Sequence, residues 1–163
     1  MSIIKPPTPL DSIDWRQPSV FLAGSIEMGK AENWQCRVAQ NFNDARWTVL
    51  NPRRDDWDVS WEQSIENDQF REQVQWEMSA LDRADHILMN FCSDTMSPIT
   101  LLELGLQATS GRLVVACPMD FWRRGNVEIV CSRYGIPLFD NLKGAVDHIH
   151  PIVGHYLCRE EVE

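Results

Sequence analysis

The run 86-HILMNFCSDTMSPITLLELGL-106 holds a strand, a short loop and a helix in immediate succession. His86–Phe91 is a brief apolar run that reads as a buried strand. The loop Cys92–Ser97 follows. Pro98 suits the first position of a helix and Ser97 can cap it, so a helix is predicted over Pro98–Ser110. A strand that passes directly into a helix is half of a crossover unit. The fold depends on whether that unit repeats.

Working outward, it does. Ser19–Ala23 (SVFLA) is an apolar strand ending at Gly24, and Ala31–Asp44 carries helical spacing through Trp34, Val38 and Phe42. Trp47–Leu50 is a second strand, stopped by Asn51-Pro52 and followed by the polar loop 51-NPRRDDWDVSWEQS-64. Ile65–Arg83 reads as a helix with Phe70, Val74, Met78 and Leu81 on one face. Beyond the opening unit come a strand at Leu113–Cys117, a short helix at Asn126–Tyr134 ended by Gly135, and a fifth strand at Ile136–Phe139. Leu142–Leu157 is mostly helical and is expected to be interrupted at Pro151. Apolar strands alternating with helices imply an α/β domain with a parallel sheet covered on both faces. Five strands suggest the flavodoxin-like, doubly wound order 2-1-3-4-5. Residues 1–17 read as an irregular N-terminal arm and 18–163 as a single domain. Ligands of such sheets bind outside the carboxyl ends of the strands, at the switch point between strands 1 and 3. The loops to watch are therefore Gly24–Lys30, Asn51–Ser64, Cys92–Ser97 and Pro118–Gly125.

The bulk numbers agree with one globular domain. The 163 residues are 44% apolar and 24% charged. No apolar run approaches the roughly 20 residues that span a bilayer, and the N-terminus lacks the form of a secretory signal. The expected setting is the cytoplasm. A net charge of −9 argues against nucleic-acid polymers, whose binding rests on neutralising phosphates. It leaves room for one small anion on backbone N–H groups. Five cysteines, odd in number and without CxxC spacing, fit buried free thiols. Trp57, Trp61 and Trp76 flank one polar region, either as pocket lining or as ordinary core and interface residues.

Few groups could carry chemistry. Gly24 after strand 1 would let the backbone approach a ligand, and Ser25 adds a hydroxyl. The segment 23-AGSIEMGK-30 lacks GxGxxG and GxxxxGK[ST], so it is no dinucleotide or P-loop signature. The loop 51–64 is long enough to be a lid or a solvated charged turn. Glu103 stands in the most leucine-rich turn of the chain. Thr100, Glu103 and Gln107 form a narrow polar stripe that faces solvent on one reading. On the other it puts a carboxylate, walled by leucines, at the switch point, where its pKa would rise. Asp85 and Asp94 could supply a second acid, and paired carboxylates serve glycosyl transfer. The four histidines form no ligand set, and no GxSxG elbow occurs, so no metal ion or other cofactor is assigned.

The segments VFLAGSI, RADHILMNF, SPITLLELGL and LVVAC, with GNVEIVCSRYGIPLF, resemble the nucleoside 2-deoxyribosyltransferase superfamily, in its deoxyribosyltransferase-like branch. The resemblance runs from about Val20 to Phe139. It implies a flavodoxin-like fold and cleavage of the N-glycosidic bond of 2′-deoxyribonucleosides, with transfer of the sugar to another base or to water through a covalent deoxyribosyl-enzyme. It makes Glu103 the nucleophile and Asp85 the residue that helps with the proton. Gly24, Ser25, Phe21, Ser97 and Asn126 would bind substrate, Asn126 (in the RRGN segment) from a neighbouring subunit of a homo-oligomer. Two positions depart from the transferases: Ser97 stands where they carry an aspartate, and Phe21 where they carry a tyrosine. Ser97 is closer to the related nucleoside 5′-monophosphate N-glycosidases, whose hydroxyls receive the phosphate. A nucleotide-binding sensor without catalysis is the reading from another class.

Overall fold

The computed structural model describes residues 2–26, 33–42 and 47–157, with no side-chain detail for Asn41 or from His150 to Leu157. Six strands form one parallel sheet: β1 (Ser2–Ile4), β2 (Ser19–Gly24), β3 (Thr48–Leu50), β4 (His86–Asn90), β5 (Leu113–Ala116) and β6 (Leu138–Phe139). Five helices accompany them: α1 (Trp34–Asn41), α2 (Asp68–Arg83), α3 (Pro98–Gln107), α4 (Arg124–Tyr134) and α5 (Leu142–Leu157). The helix expected at Ala31–Asp44 has parts outside the described residues, as do 27–30 of the first loop and Cys158. No described helix is long and apolar enough to cross a membrane.

The strand order is β1-β3-β2-β4-β5-β6. The five expected strands keep their expected neighbours, but the sheet has six. The N-terminal arm is not irregular throughout. Ser2, Ile3 and Ile4 pair in parallel with Thr48, Val49 and Leu50, covering an edge that β3 would otherwise leave open. Pro6 and Pro7 lack the N–H that would extend the strand. The arm then crosses a short 3₁₀ turn (Leu10–Ser12) and is tied to α2, where Trp76 Nε1 donates to the Thr8 carbonyl at 2.8 Å.

Alternation along the strands feeds two cores. Phe21 and Ala23 of β2, Ile87 and Met89 of β4, and Val115 of β5 face α2, α3 and α4. Val20, Leu22, Leu88, Val114 and Ala116 face α1 and α5. Burial on both sides explains the continuous apolar strands. Local signals set the helix ends. Asn33 and Asn67 accept from the amides of Cys36 and Phe70, and Gly135, left-handed at φ 67°, closes α4. Arg112 holds the end of α2, its Nη1 donating to the carbonyls of Leu81, Asp82 and Ala84. Pro151 does not divide α5, which runs continuously over Leu142–Leu157.

On α2 the buried face differs from the sequence expectation: it consists of Gln73, Trp76, Ala80 and Leu81, while Met78 is exposed. On α3 the structure follows the second of the two readings. Thr100, Leu104 and Gln107 are buried, whereas Ile99, Leu102 and Leu106 are about 60% exposed. The polar stripe of α3 points into the protein beside Leu101 and Leu104, while Ile99, Leu102 and Leu106 point out.

Candidate active site

β4 delivers the chain to the carboxyl edge of the sheet, and α3 starts there. Glu103 lies in the second turn of α3, half-buried, on the inward polar stripe. Below it, Gln107 Nε2 donates to Asp82 on α2 at 3.2 Å, and Gln107 Oε1 accepts from Arg112 at 2.9 Å. These bonds lay α3 alongside α2. The charged group that bears on Glu103 is another carboxylate, Glu77 of α2. Burial pushes the Glu103 carboxyl up to about 8, and the nearby Glu77 charge adds to the rise. Burial likewise pushes Glu77 up to about 7, against a hydrogen bond from Gln73 that favours its ionised form. Each carboxyl is thereby shifted toward its protonated form near neutral pH.

Sequence reasoning missed Glu77. Glu77 lies one turn from Gln73 and from Leu81, between the expected apolar face and the observed buried one, so the apolar pattern of α2 gives no signal for it. Gln73 fixes the carboxylate: its Nε2 donates to Glu77 Oε1 at 2.7 Å and to the Pro52 carbonyl at 2.9 Å. The segment after β3 is thereby docked on α2. Arg54 adds a second tie, bridging Asp56 at 2.6 Å and Glu72 at 3.1 Å while lying over the Trp61 ring. Trp57 and Trp61 meet edge to face within this loop, whose Asp55, Asp56, Asp58 and Glu62 remain exposed.

Asp85 is placed elsewhere. It precedes β4, at the amino edge, roughly 16 Å along the strand from Asn90 at ~3.3 Å per residue. Its Oδ2 accepts from the Ser19 amide at 2.9 Å and the Ser19 hydroxyl at 2.7 Å, and its own amide donates back to Ser19 Oγ at 3.0 Å. The carboxylate joins the starts of two adjacent strands and is not brought to Glu103. The reason is topological: a residue before a parallel strand and a residue after it lie at opposite edges.

Ser25 and Ser97 are brought together. With Thr95 they form a buried triangle of hydroxyls: Ser25–Ser97 2.5 Å, Ser25–Thr95 2.9 Å and Thr95–Ser97 2.7 Å. Thr95 donates to the Cys92 carbonyl at 2.8 Å, and Ser25 Oγ accepts from the Cys92 amide at 3.0 Å. Ser97 does not cap α3 with its side chain. It sits in the left-handed region at φ 46°, a conformation rare for serine, with its hydroxyl turned to the cluster. Gly24 lies beside this cluster, but its close approach is to β4: an added Cβ would stand 2.2 Å from the Asn90 carbonyl oxygen. Its need for glycine is internal to the sheet.

Phe21 is fully buried, 6.4 Å from the Trp76 ring, and contributes packing on the α2 side. Asn126 is exposed on the first turn of α4 and lies outside the Glu103–Glu77 group within one chain. Its neighbour Arg124 is used internally, bonded to Glu128, Asp140 and the Cys117 carbonyl. The last two crevice loops are linked: Ser93 donates to Asp120 at 2.7 Å, and Trp122 Nε1 to the Met96 carbonyl at 3.2 Å. A family model described as "Nucleoside 2-deoxyribosyltransferase like" matches residues 17–121, more than half of the chain. No curated protein matches it.

Proposed function

The chain belongs to the nucleoside 2-deoxyribosyltransferase-like family, and on that premise we propose that it cleaves the N-glycosidic bond of 2′-deoxyribonucleosides. The sugar passes to another base or to water through a covalent intermediate on Glu103. The observation that carries this reading is the inward stripe of α3, which sets Glu103 against Glu77 beside the carboxyl edge of the sheet. One carboxylate can attack carbon while the other manages a proton. Glu103 attacks C1′ as the C1′–N bond breaks, and the bonding electrons leave on the base. Glu77, in its protonated form, gives its proton to a base nitrogen. In the second half, Glu77 takes a proton from the incoming base or water, which attacks C1′ and frees Glu103. Two displacements give retention at C1′. Glu77 thus takes the role first expected of Asp85.

Incubation with a 2-fluoro-arabino nucleoside, followed by intact mass spectrometry, is expected to show one sugar adduct, located on Glu103 by peptide mapping. Turnover of substrate by a protein that never carries an adduct would sink the covalent step.

The hydroxyl triangle favours a second substrate class. Ser25, Thr95 and Ser97 gather where the transferases have a carboxylate at the position of Ser97, at the start of the ten-residue helix α3. Removing that negative charge suits a nucleoside 5′-monophosphate, with the phosphate received by hydroxyls and the helix start. Comparing dCMP and dGMP with their nucleosides decides it. A preference of about tenfold or more for the monophosphates, near 1.4 kcal/mol, supports this class. Equal or poorer use rejects it.

We also propose that the site is completed in a homo-oligomer. Ile99, Leu102 and Leu106 of α3, Met78 of α2 and Ile129 of α4 are exposed on the three-helix face, where Asn126 is exposed too. A second copy would cover this apolar surface and bring Asn126 to its neighbour's crevice. Sedimentation equilibrium should return a dimer or larger. A monomer that turns over substrate at full rate would reject the shared site.

A further inference from the structure

One atom beside the carboxylate pair has no role in this scheme. Gln73 is 4% exposed, and both hydrogens of its Nε2 are used, one on Pro52 O and one on Glu77 Oε1. The Pro52 carbonyl can only accept, which fixes the amide's nitrogen end toward it. The other arm, Gln73 Oε1, is buried with no partner among the described residues. Buried acceptors without a partner are uncommon, and one beside a reactive pair points to a group that arrives with the substrate. That group must be a hydrogen-bond donor.

Its identity follows from where Glu77 acts, so the inference rests on the reading of Glu77 as the proton donor. A departing purine breaks its bond at N9 and takes a proton most readily at N7, the basic nitrogen on the other side of the five-membered ring. The substituent next to N7 on that edge is the one at C6. An acceptor on the same amide that holds Glu77 therefore meets the C6 substituent when Glu77 reaches N7. A 6-amino group offers a hydrogen there. A 6-oxo group sets lone pairs against lone pairs. We propose that Gln73 Oε1 is the base-reading acceptor of this site and selects 6-aminopurines over 6-oxopurines.

The test compares 2′-deoxyadenosine with 2′-deoxyinosine by kcat/KM, and free adenine with hypoxanthine by calorimetry. The wild-type protein is expected to favour the amino compound about tenfold or more in both measurements. Gln73→Met keeps the side chain's length, removes both polar atoms, and is expected to bring each ratio to within about threefold. If that variant fails to fold, Gln73→Asn withdraws the amide by one methylene and is expected to lower the ratios in the same direction. Equal or undetectable binding of the two bases by the wild type overturns the proposal, as does a preference that survives both substitutions. Binding selectivity that depends on Gln73, in a protein whose Glu103→Gln variant still releases base, would uphold Gln73 and reject the nucleophile.

Discussion

Glu103→Gln is expected to lower base release by at least about a thousandfold and to abolish the sugar adduct, because an amide cannot displace a base from C1′. Glu77→Gln should cost roughly 10²–10⁴ in rate, the usual value of a positioned proton donor. Asp85→Asn should leave turnover within about twofold, since that carboxylate is engaged with Ser19 at the amino edge. Steady-state base release from the three variants separates the roles. Undiminished turnover in Glu103→Gln would remove the site, and strong loss in Asp85→Asn with Glu77→Gln unaffected would restore the original pairing. Tight nucleotide binding by a wild-type protein that never releases base would make it a sensor.

The same substitution has a second consequence, in stability. The folded pKa of Glu103, about 8, lies above its ordinary value of 4.5. Between those values the native state binds a proton that the unfolded chain does not, so stability falls as pH rises. The loss begins above about 4.5 and is complete above about 8, reaching on the order of 3–5 kcal/mol for a shift of this size. Glu103→Gln removes that dependence. It should match the wild type near pH 5 and unfold several degrees higher near pH 9, as measured by calorimetry. Equal pH dependence in both proteins would show that the carboxyl is not held in its protonated form. Activity would thus be retained at a cost in stability.

Gly24→Ala is expected to have the largest effect on folding. Gly24 is at φ 143°, where an L-residue is strained, and is paired with Asn90 in the central β2–β4 ladder. The new Cβ would meet Asn90 backbone atoms at 2.2, 2.9 and 3.0 Å, and backbone cannot rotate aside. Relief requires parting the two central strands at their carboxyl ends, which would also break the bond from the Ser25 amide to Asn90 O at 3.0 Å. A loss of more than about 4 kcal/mol, or no folded protein, should be seen in urea denaturation. Gly105→Ala is the control. That glycine lies in α3 with nothing within 4 Å of an added Cβ, and the change should stabilise by up to about 1 kcal/mol. A Gly24→Ala protein as stable as wild type would mean that the strands are spaced more widely there.

Particular elements show why some features were legible. SVFLA, HILMNF and LVVAC are strands because short apolar runs bounded by turn residues have few alternatives, and Gly135 marks a helix end through a bond made within a few residues. β1 was hidden because three residues carry little pattern; only the open edge of β3 makes SII a strand. Ser97 was legible as the residue before α3. Its bond to Ser25 depends on a loop 72 residues away.

The sequence by itself determined the alternation of strands and helices, the neighbours of the five principal strands, and the position of Glu103 just after the central strand. Those features rest on local propensity and the short reach of crossover connections. Tertiary structure alone decided which side of each helix faces inward. A helical wheel groups Thr100, Glu103 and Gln107, and groups Gln73 with Trp76, Glu77 and Ala80, but cannot say whether a group meets the sheet or the solvent. On α3 apolar residues occupy most of the circumference, so either face could be buried. The bonds of Gln107 to Asp82 and Arg112 turned the polar stripe inward, and the packing of Trp76 and Ala80 turned Glu77 to meet it.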